Sequence, residues 1–314
     1  MPHKSGQVSY QEIGADDAGQ RLDNFLLRVW KGVPRSHVYR LLRSGQVRVN
    51  GGRAKPTRRL AFGDRVRLPP VRFTPAEEGA RRAPDALIER LLSAIVHEDD
   101  DLLVINKPSG LAVHGGSEQT YGLVECLRQA REGRLELAHR LDLETSGLLM
   151  LARNREALLA INKALKQGAI GKHYLALIEG RWSGPLMVEM ALKAQREGGQ
   201  HGMVVDDDGK QSRTSFRVVN TFSMATLVEA ELHTGRMHQI RVHCASQGNP
   251  VAGDDRYGDR EFNRLMRKQG LKRLFLHSAR LRIPEGVLSE PLQLYAELPE
   301  DLSTLLSKME KNGL

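Results

Sequence analysis

The 314-residue chain carries 47 Lys and Arg against 38 Asp and Glu, a net charge of +9, and only 5% of its residues are aromatic. That length suits one large domain plus a small one at about 100 to 200 residues per domain, and the positive excess argues for a polyanionic partner, nucleic acid ahead of an anionic membrane. No apolar run approaches the ~20 residues of a membrane span, and Met1 to Gln7 has no signal-peptide core. Cys126 and Cys244 belong to no Cys-x-x-Cys pair. A membrane span, secretion, a disulfide framework and a zinc ribbon are therefore not expected, and the chain is expected in the cytoplasm.

Residues 1–19 read as an N-terminal extension. Leu22, Phe25, Leu26 and Val29 recur at helical spacing, as do Val38, Leu41 and Leu42, with Pro34 where the second helix begins and Gly45 as its stop. Val47 and Val49 alternate as a strand, Asn50-Gly51 is a hairpin turn signal, and Val66 and Leu68 suggest the return strand. The result is a helix-helix-hairpin unit over residues 20–70. Thirteen Lys and Arg in it face only Asp23 and Asp64. Arg35, Ser36, Arg40 and Arg43 lie on or beside one predicted helix and Arg48 on the next strand, a rack suited to phosphates, against the plainer reading of solvated faces. The run from Pro34 to Gly51, with Phe62-Gly63-Asp64 downstream, resembles the small RNA-binding domain named after ribosomal small-subunit protein four. That resemblance implies a structured-RNA ligand and, by itself, no reaction.

Residues 71–88 read as a linker, with four prolines between Pro69 and Pro84. A larger domain over 89–314 opens with an apolar strand at Leu102 to Ile105, stopped by Asn106-Lys107-Pro108-Ser109-Gly110; His114-Gly115-Gly116-Ser117 predicts a sharp turn. Leu135, Leu137 and Leu141 suggest a strand, and Leu148 to Ala152 a buried one. A helix is expected from Arg155 to Gln167, ended by Gly168. Lys172 to Ile178 then alternates so as to put Tyr174, Ala176 and Ile178 on one face, and further strands fall at Phe216 to Val219 and Thr226 to Leu232. The expected class is α+β, with a mixed, mainly antiparallel sheet.

Between two of these strands lies the polar segment His139-Arg140-Leu141-Asp142-Leu143-Glu144-Thr145-Ser146-Gly147. A carboxylate set against a core is costly to desolvate unless a cation or donors accompany it, and Arg140, two residues from Asp142, would share its face of an extended chain. From these nine residues alone, an active-site loop and a structural arginine-aspartate pair are equal readings. The second polar cluster, Thr234 to His243, holds Arg236, His238, Arg241 and His243. It lacks a His-Glu-x-x-His helix, a cysteine pair or an acidic ligand at metal spacing, so hydrogen bonding or RNA contact is the better use of its histidines. A hydrolase with His139 or His238 as base is unsupported, because no serine or cysteine sits in a nucleophile elbow.

Taken in order, His139 to Gly147, Lys172 to Ala176 and Thr234 to His243 resemble the three segments around the active site of the RluA-type pseudouridine synthases, and the resemblance spans nearly the whole chain. Ala18 to Leu26, Val113 to Ser117 and Asp254 to Phe262 look closest to bacterial members acting on 23S ribosomal RNA. The resemblance implies an isomerase that detaches uracil from ribose, rotates it and rejoins it through carbon, with no cofactor or metal. It assigns Asp142 as the essential aspartate, nucleophile or base toward the ribose, Arg241 as its charge partner, Tyr174 as the aromatic residue stacking on the base, and Arg140 as holding the RNA open. His139, Arg236 and His238 are expected to contact substrate, and a monomer is expected. The physical requirements agree: a carboxylate must be ionised to attack or take a proton, a guanidinium beside such a group favours that form, and a stacked uridine must be flipped out onto an aromatic platform. Low aromatic content suits one or few flipped nucleotides. A noncatalytic RNA-binding or ribosome-assembly protein on the same fold is the competing reading, and the intact trio Asp142, Tyr174 and Arg241 speaks against it.

Overall fold

Short amphipathic elements build the first of two units, Met1–Arg82 and Ala83–Leu314, in a computed structural model that describes residues 8–14, 17–30, 33, 35–71, 83–115, 121–131, 133–197 and 200–311. Strand β1 (Ser9–Glu12) precedes helices α1 (Leu22–Val29) and α2 (Arg35–Arg43), followed by β2 (Arg48–Val49), β3 (Gly52–Arg53) and β4 (Arg65–Leu68). Leu22, Phe25, Leu26, Val38, Val66 and Leu68 are fully buried in one core, with Leu41, Leu42, Val47 and Val49 beside them. Pro34 lies outside the described residues.

Two expectations change here. The described strands form a sheet in the order β1-β4-β2-β3, with β1 paired along β4 and Ile13 in the core, so the unit begins within the supposed extension of residues 1–19. Ser9–Glu12 is too short and polar for its pattern to declare a strand; hydrogen bonds to β4 make it one. Asn50 (φ 52°) and Gly51 (φ 76°) form the expected turn with both central residues left-handed, but it joins β2 to β3. β4, the supposed return strand, pairs with the other edge of β2.

The second unit starts with α3 (Asp85–Ser93), whose Ile88 and Leu91 join Ala83 in a core, so the linker read over 71–88 ends by Ala83. Proline at a helix start is punctuation as readily as linker material. Then follow β5 (Ile95–Glu98), β6 (Leu102–Lys107), α4 (Leu123–Ala130), β7 (Glu136–Leu137), β8 (Ser146–Ala152), α5 (Arg155–Gln167), β9 (Gly171–Glu179), β10 (Met187–Glu197), β11 (Gln200–Val205), β12 (Lys210–Thr221), β13 (Ala225–Leu232), α6 (Gln239–Ser246), α7 (Arg260–Gln269), β14 (Leu276–Ile283), β15 (Leu292–Tyr295) and α8 (Glu300–Lys311). Among the described residues, nine strands run β11-β10-β12-β13-β9-β14-β8-β6-β5, with β15 on β14 and β7 on β8. The pairs are antiparallel except β14 with β8, so the sheet is mixed and mainly antiparallel.

Helices cover both faces. Leu149 and Leu151 of β8 pack with α3 and α4, whereas Leu148 and Met150 pack with Ala157, Ile161 and Ala164 of α5. Tyr174, Ala176 and Ile178 of β9 share the first of these cores with Ile240 of α6, while Leu177 faces α7 and α8. Period-two alternation in strands buried on both sides produces this division. Helix α5 has the expected bounds, with the Asn154 side chain accepting from the Ala157 N–H and Gly168 left-handed at its end. Cys126 and Cys244 are both buried as thiols, and no helix among the described residues is long and apolar enough to cross a membrane.

Candidate active site

The segment His139–Gly147 crosses from β7 to β8, and its final glycine is required by packing. Gly147 has φ 108°, and a Cβ there would lie 2.3 Å from the Ser278 carbonyl oxygen, because β14 runs parallel to β8 at this point. Behind the loop, Lys107 at the end of β6 is fully buried and donates to the carbonyls of Pro108, Leu111 and Leu143 at 3.1, 2.9 and 3.0 Å. Ser109 Oγ donates to the Glu144 carbonyl, and the Gly110 N–H to that of Leu143. Residues 107–110, read from sequence as a strand stop, thus brace the carbonyls that follow Asp142. A lysine ending an apolar strand was the available signal. Burial pushes Lys107 down to about 8, against the pull of Asp142.

A cavity of about 430 Å³ is lined by all seven sequence-predicted residues of this unit: His139, Arg140, Asp142, Tyr174, Arg236, His238 and Arg241. Asp142 and Arg241, 99 positions apart, meet at 3.3 Å between Oδ2 and Nη1. Arg241 is aimed by Asp254, whose fully buried carboxylate accepts from its Nε at 2.7 Å and its Nη2 at 2.8 Å. The backbone N–H groups of Arg256 and Tyr257 also donate to Asp254. Burial opposes the charge on Arg241, yet the Asp254 hydrogen bonds and charge, with Asp142, outweigh it and raise its pKa above the ordinary arginine value. Burial likewise opposes ionisation of Asp254, and Arg241 with the two N–H groups holds its pKa below the usual carboxylate range. The pair is charged at neutral pH, and one edge of the guanidinium is left for Asp142.

His238 has a left-handed backbone (φ 54°) at the start of α6, a costly conformation for a non-glycine residue of the kind that concentrates at functional sites. Tyr257 holds it there. The phenol oxygen accepts from the Met203 N–H, so its own proton is free to donate to His238 Nδ1 at 2.8 Å; Nε2, 3.8 Å from Asp142 Oδ2, then carries the ring proton. Burial lowers the His238 pKa despite the nearby Asp142, which keeps the ring neutral. Tyr257 also lies 5.0 Å beneath the Arg241 guanidinium. Gln239 closes the loop, accepting from Thr234 Oγ1 and the Arg236 N–H and donating to the Arg213 carbonyl and Thr214.

Tyr174 is 5% exposed, and burial raises its phenol well above the ordinary value despite a hydrogen bond with Ser278. Arg140 and Arg236 are exposed at the rim. His139 is different: its Nε2 accepts from the Met150 N–H at 3.1 Å, and burial pushes its pKa down to about 3. One ring nitrogen is thus committed to β8, which ties the start of the loop to that strand. His243, read beside His238 from sequence, turns away and donates through Nε2 to Ser212 Oγ, whose proton goes to the Met190 carbonyl. No group of three or more His, Cys, Asp or Glu among the described residues could hold a metal ion. Sequence reasoning missed Lys107, Asp254 and Tyr257. Asp254 and Tyr257 lie in a segment it quoted without assigning a role.

In the first unit, Ser36, Arg40, Arg43 and Arg48 are exposed, and the three arginines pair with no carboxylate among the described residues. Asp23 and Asp64 are buried and consumed locally, Asp23 by Arg21, Tyr39 and the Asn24 N–H, Asp64 by Asn50, the Ala61 N–H and Arg58. The two acids therefore do not neutralise the rack. Arg35 begins α2.

Residues 101–246 match the RNA pseudouridylate synthase family and residues 20–66 the S4 domain. Over 96% of this chain and 95% of that protein, the sequence is 47% identical to ribosomal large subunit pseudouridine synthase C of Yersinia pestis. It is 45% identical to the Escherichia coli (strain K12) protein of the same name, over 98% and 99%. The solved structure of human RNA pseudouridylate synthase domain containing 4 superposes with a TM-score of 0.59 at 26% identity, over 72% of this chain and 96% of that one. With near-complete coverage at such identity, and an aspartate, an arginine and a buried tyrosine brought into one cavity, the chain belongs to the RluA-type RNA pseudouridylate synthases that carry an S4 domain.

Proposed function

We propose that this protein isomerises several uridines of large-subunit 23S ribosomal RNA to pseudouridine, acting as a monomer without metal or cofactor, in the cytoplasm. The observation that carries the reading is the meeting of Asp142 and Arg241 at 3.3 Å in the cavity that Tyr174 lines. Asp142 acts on the ribose, as nucleophile at C1′ or as base toward a sugar proton. Arg241 supplies a fixed counter-charge that needs no reorganisation when charge moves, since Asp254 already holds it. Tyr174 offers the ring on which the flipped uracil stacks, which offsets part of the few kcal/mol spent on unstacking it. Arg140 and Arg236 contact the RNA at the rim. Neutral His238, with its Nε2–H toward Asp142, orients the carboxylate rather than exchanging protons with it.

In the amino-terminal unit, Arg35, Ser36, Arg40, Arg43 and Arg48 bind phosphates and contribute salt-sensitive affinity. Release of tritium from C5-labelled uridine in 23S ribosomal RNA tests the whole reading. Asp142→Asn should abolish release while leaving RNA affinity nearly intact. Normal release by a folded, undegraded variant would remove Asp142 from the mechanism, and an inactive wild-type protein on that RNA would overturn the substrate assignment.

A further inference from the structure

Lys172 is the buried cation in the cavity that nothing above employs. It lies on β9, two residues before Tyr174 and therefore on the same face, and both side chains line the cavity. It is 7% exposed. The other buried lysine among the described residues, Lys107, is saturated by three carbonyls. The Lys172 ammonium makes no hydrogen bond or ion pair with any described residue. Burial pushes it down to about 8, which leaves it mostly charged at neutral pH. A desolvated, unpaired ammonium is costly, and a binding site is where such a cost is recovered by the ligand.

The depth of Lys172 selects among the acceptors a flipped uridine brings. Its two phosphodiesters continue into the RNA chain on either side and stay at the mouth, where exposed Arg140, Lys166 and Arg236 line the rim. The base enters furthest. Uracil offers O2 and O4 as acceptors, and an ammonium is a donor only. Resting on the pseudouridine synthase reading above, we propose that Lys172 donates a hydrogen bond to a carbonyl oxygen of the target uracil and strengthens it as the base detaches.

The reaction gives that contact its catalytic value. When C1′–N1 breaks, its electron pair stays with the ring and spreads negative charge over N1, O2 and O4. After rotation, C5 bonds to C1′, a proton leaves C5 and N1 ends protonated, so the ring keeps its composition. Lys172 transfers no proton. A preformed cation facing the oxygen that gains charge is worth more in the transition state than in the ground state. Contact at O4 would also exclude cytosine, which presents an amino group there.

The experiment uses the full chain with Lys172→Met and Lys172→Gln, on RNA carrying C5-tritiated uridine, 2-thiouridine or 4-thiouridine at the target, because sulfur accepts hydrogen bonds poorly. Lys172→Met should lower kcat about 10²- to 10³-fold, the usual effect of removing one preorganised donor. It should raise the melting temperature, since an unpaired buried charge is removed; Lys172→Gln, a neutral donor, should recover part of the rate. One thio substitution should slow the wild type about tenfold or more and leave Lys172→Met unchanged, and which one does so identifies O2 or O4. A folded Lys172→Met with wild-type kcat refutes the proposal, as does a thio penalty of equal size in wild type and variant. Loss of activity accompanied by a fall in melting temperature for both variants assigns Lys172 to structure and refutes it too. Absence of tritium release by the wild type counts instead against the synthase reading.

Discussion

Replacing Asp254 by Asn isolates what aims Arg241. The carboxylate is fully buried and takes four hydrogen bonds: Oδ1 accepts from Arg241 Nη2 and the Arg256 and Tyr257 N–H groups, and Oδ2 from Arg241 Nε. An asparagine carbonyl retains the three donors at Oδ1. Its amide nitrogen then falls where Oδ2 was, facing the Nε–H donor to donor, and the guanidinium loses its closest counter-charge. Breaking a buried pair from one side costs about 3–5 kcal/mol. In a domain of 150–250 residues each kcal/mol lowers Tm by about 2–4 °C, so a drop of roughly 6–20 °C is expected. Arg241 would also drift from Asp142, and a misplacement of about 1 Å costs on the order of 10²-fold in kcat. KM should hardly change, because Asp254 offers no surface to RNA. Calorimetry and single-turnover tritium release measure the two effects, with Asp255→Asn as a control, since the Asp255 to Arg267 pair is exposed on both sides. A folded Asp254→Asn protein with wild-type kcat would refute the idea that Arg241 must be held in place.

Further expectations follow from the same geometry. His139 and His243 are pushed by burial from 6.5 to about 3 and about 4, so the folded state leaves them neutral while the unfolded chain takes up protons. Their contribution is complete above pH 6.5 and declines as pH falls toward 4, by at most about 1.4 kcal/mol per pH unit for each histidine. Urea midpoints at pH 7.5 and pH 5 read this slope, and His243→Leu should flatten it; a midpoint indifferent to pH would contradict the assignment. Gly147→Ala must place a Cβ 2.3 Å from the Ser278 carbonyl oxygen at φ 108°, so a destabilisation of about 2–5 kcal/mol is expected, and unchanged thermal stability would show that β14 yields at low cost. Changing Arg40, Arg43 and Arg48 together to Ala should weaken RNA binding and reduce the slope of log affinity against log salt by about 0.7–0.9 for each phosphate left unneutralised. An unaltered slope would take the phosphates elsewhere.

Much of the fold was written in periodicity. Leu148 to Ala152, Arg155 to Gln167 and Lys172 to Ile178 carry their own strand and helix signals, because burial on both faces demands continuous apolar residues and helix ends demand caps, here Asn154 and Gly168. Ser9–Glu12 carried none, since an edge strand owes its existence to its partner. The same division holds at the site. Asp142, Tyr174 and Arg241 were recognisable as motif residues, and local alternation sufficed to put Tyr174 and Ala176 on one face.

Amino-acid order alone determined the two-part organisation, the class of the sheet and the basic first unit, all properties of local spacing and composition, whereas the expected roles of Asp142, Tyr174 and Arg241 came from the resemblance of their segments to a family. Only tertiary structure supplied the physical reason why Arg241 and not Arg140 faces Asp142: Asp254 fixes Arg241 while Arg140 extends to solvent. Tertiary packing likewise assigned His139 to β8, set His238 neutral beside the carboxylate, and left Lys172 charged, buried and unpartnered. Burial and hydrogen-bond partners are relations between distant residues, and no short stretch of chain records them.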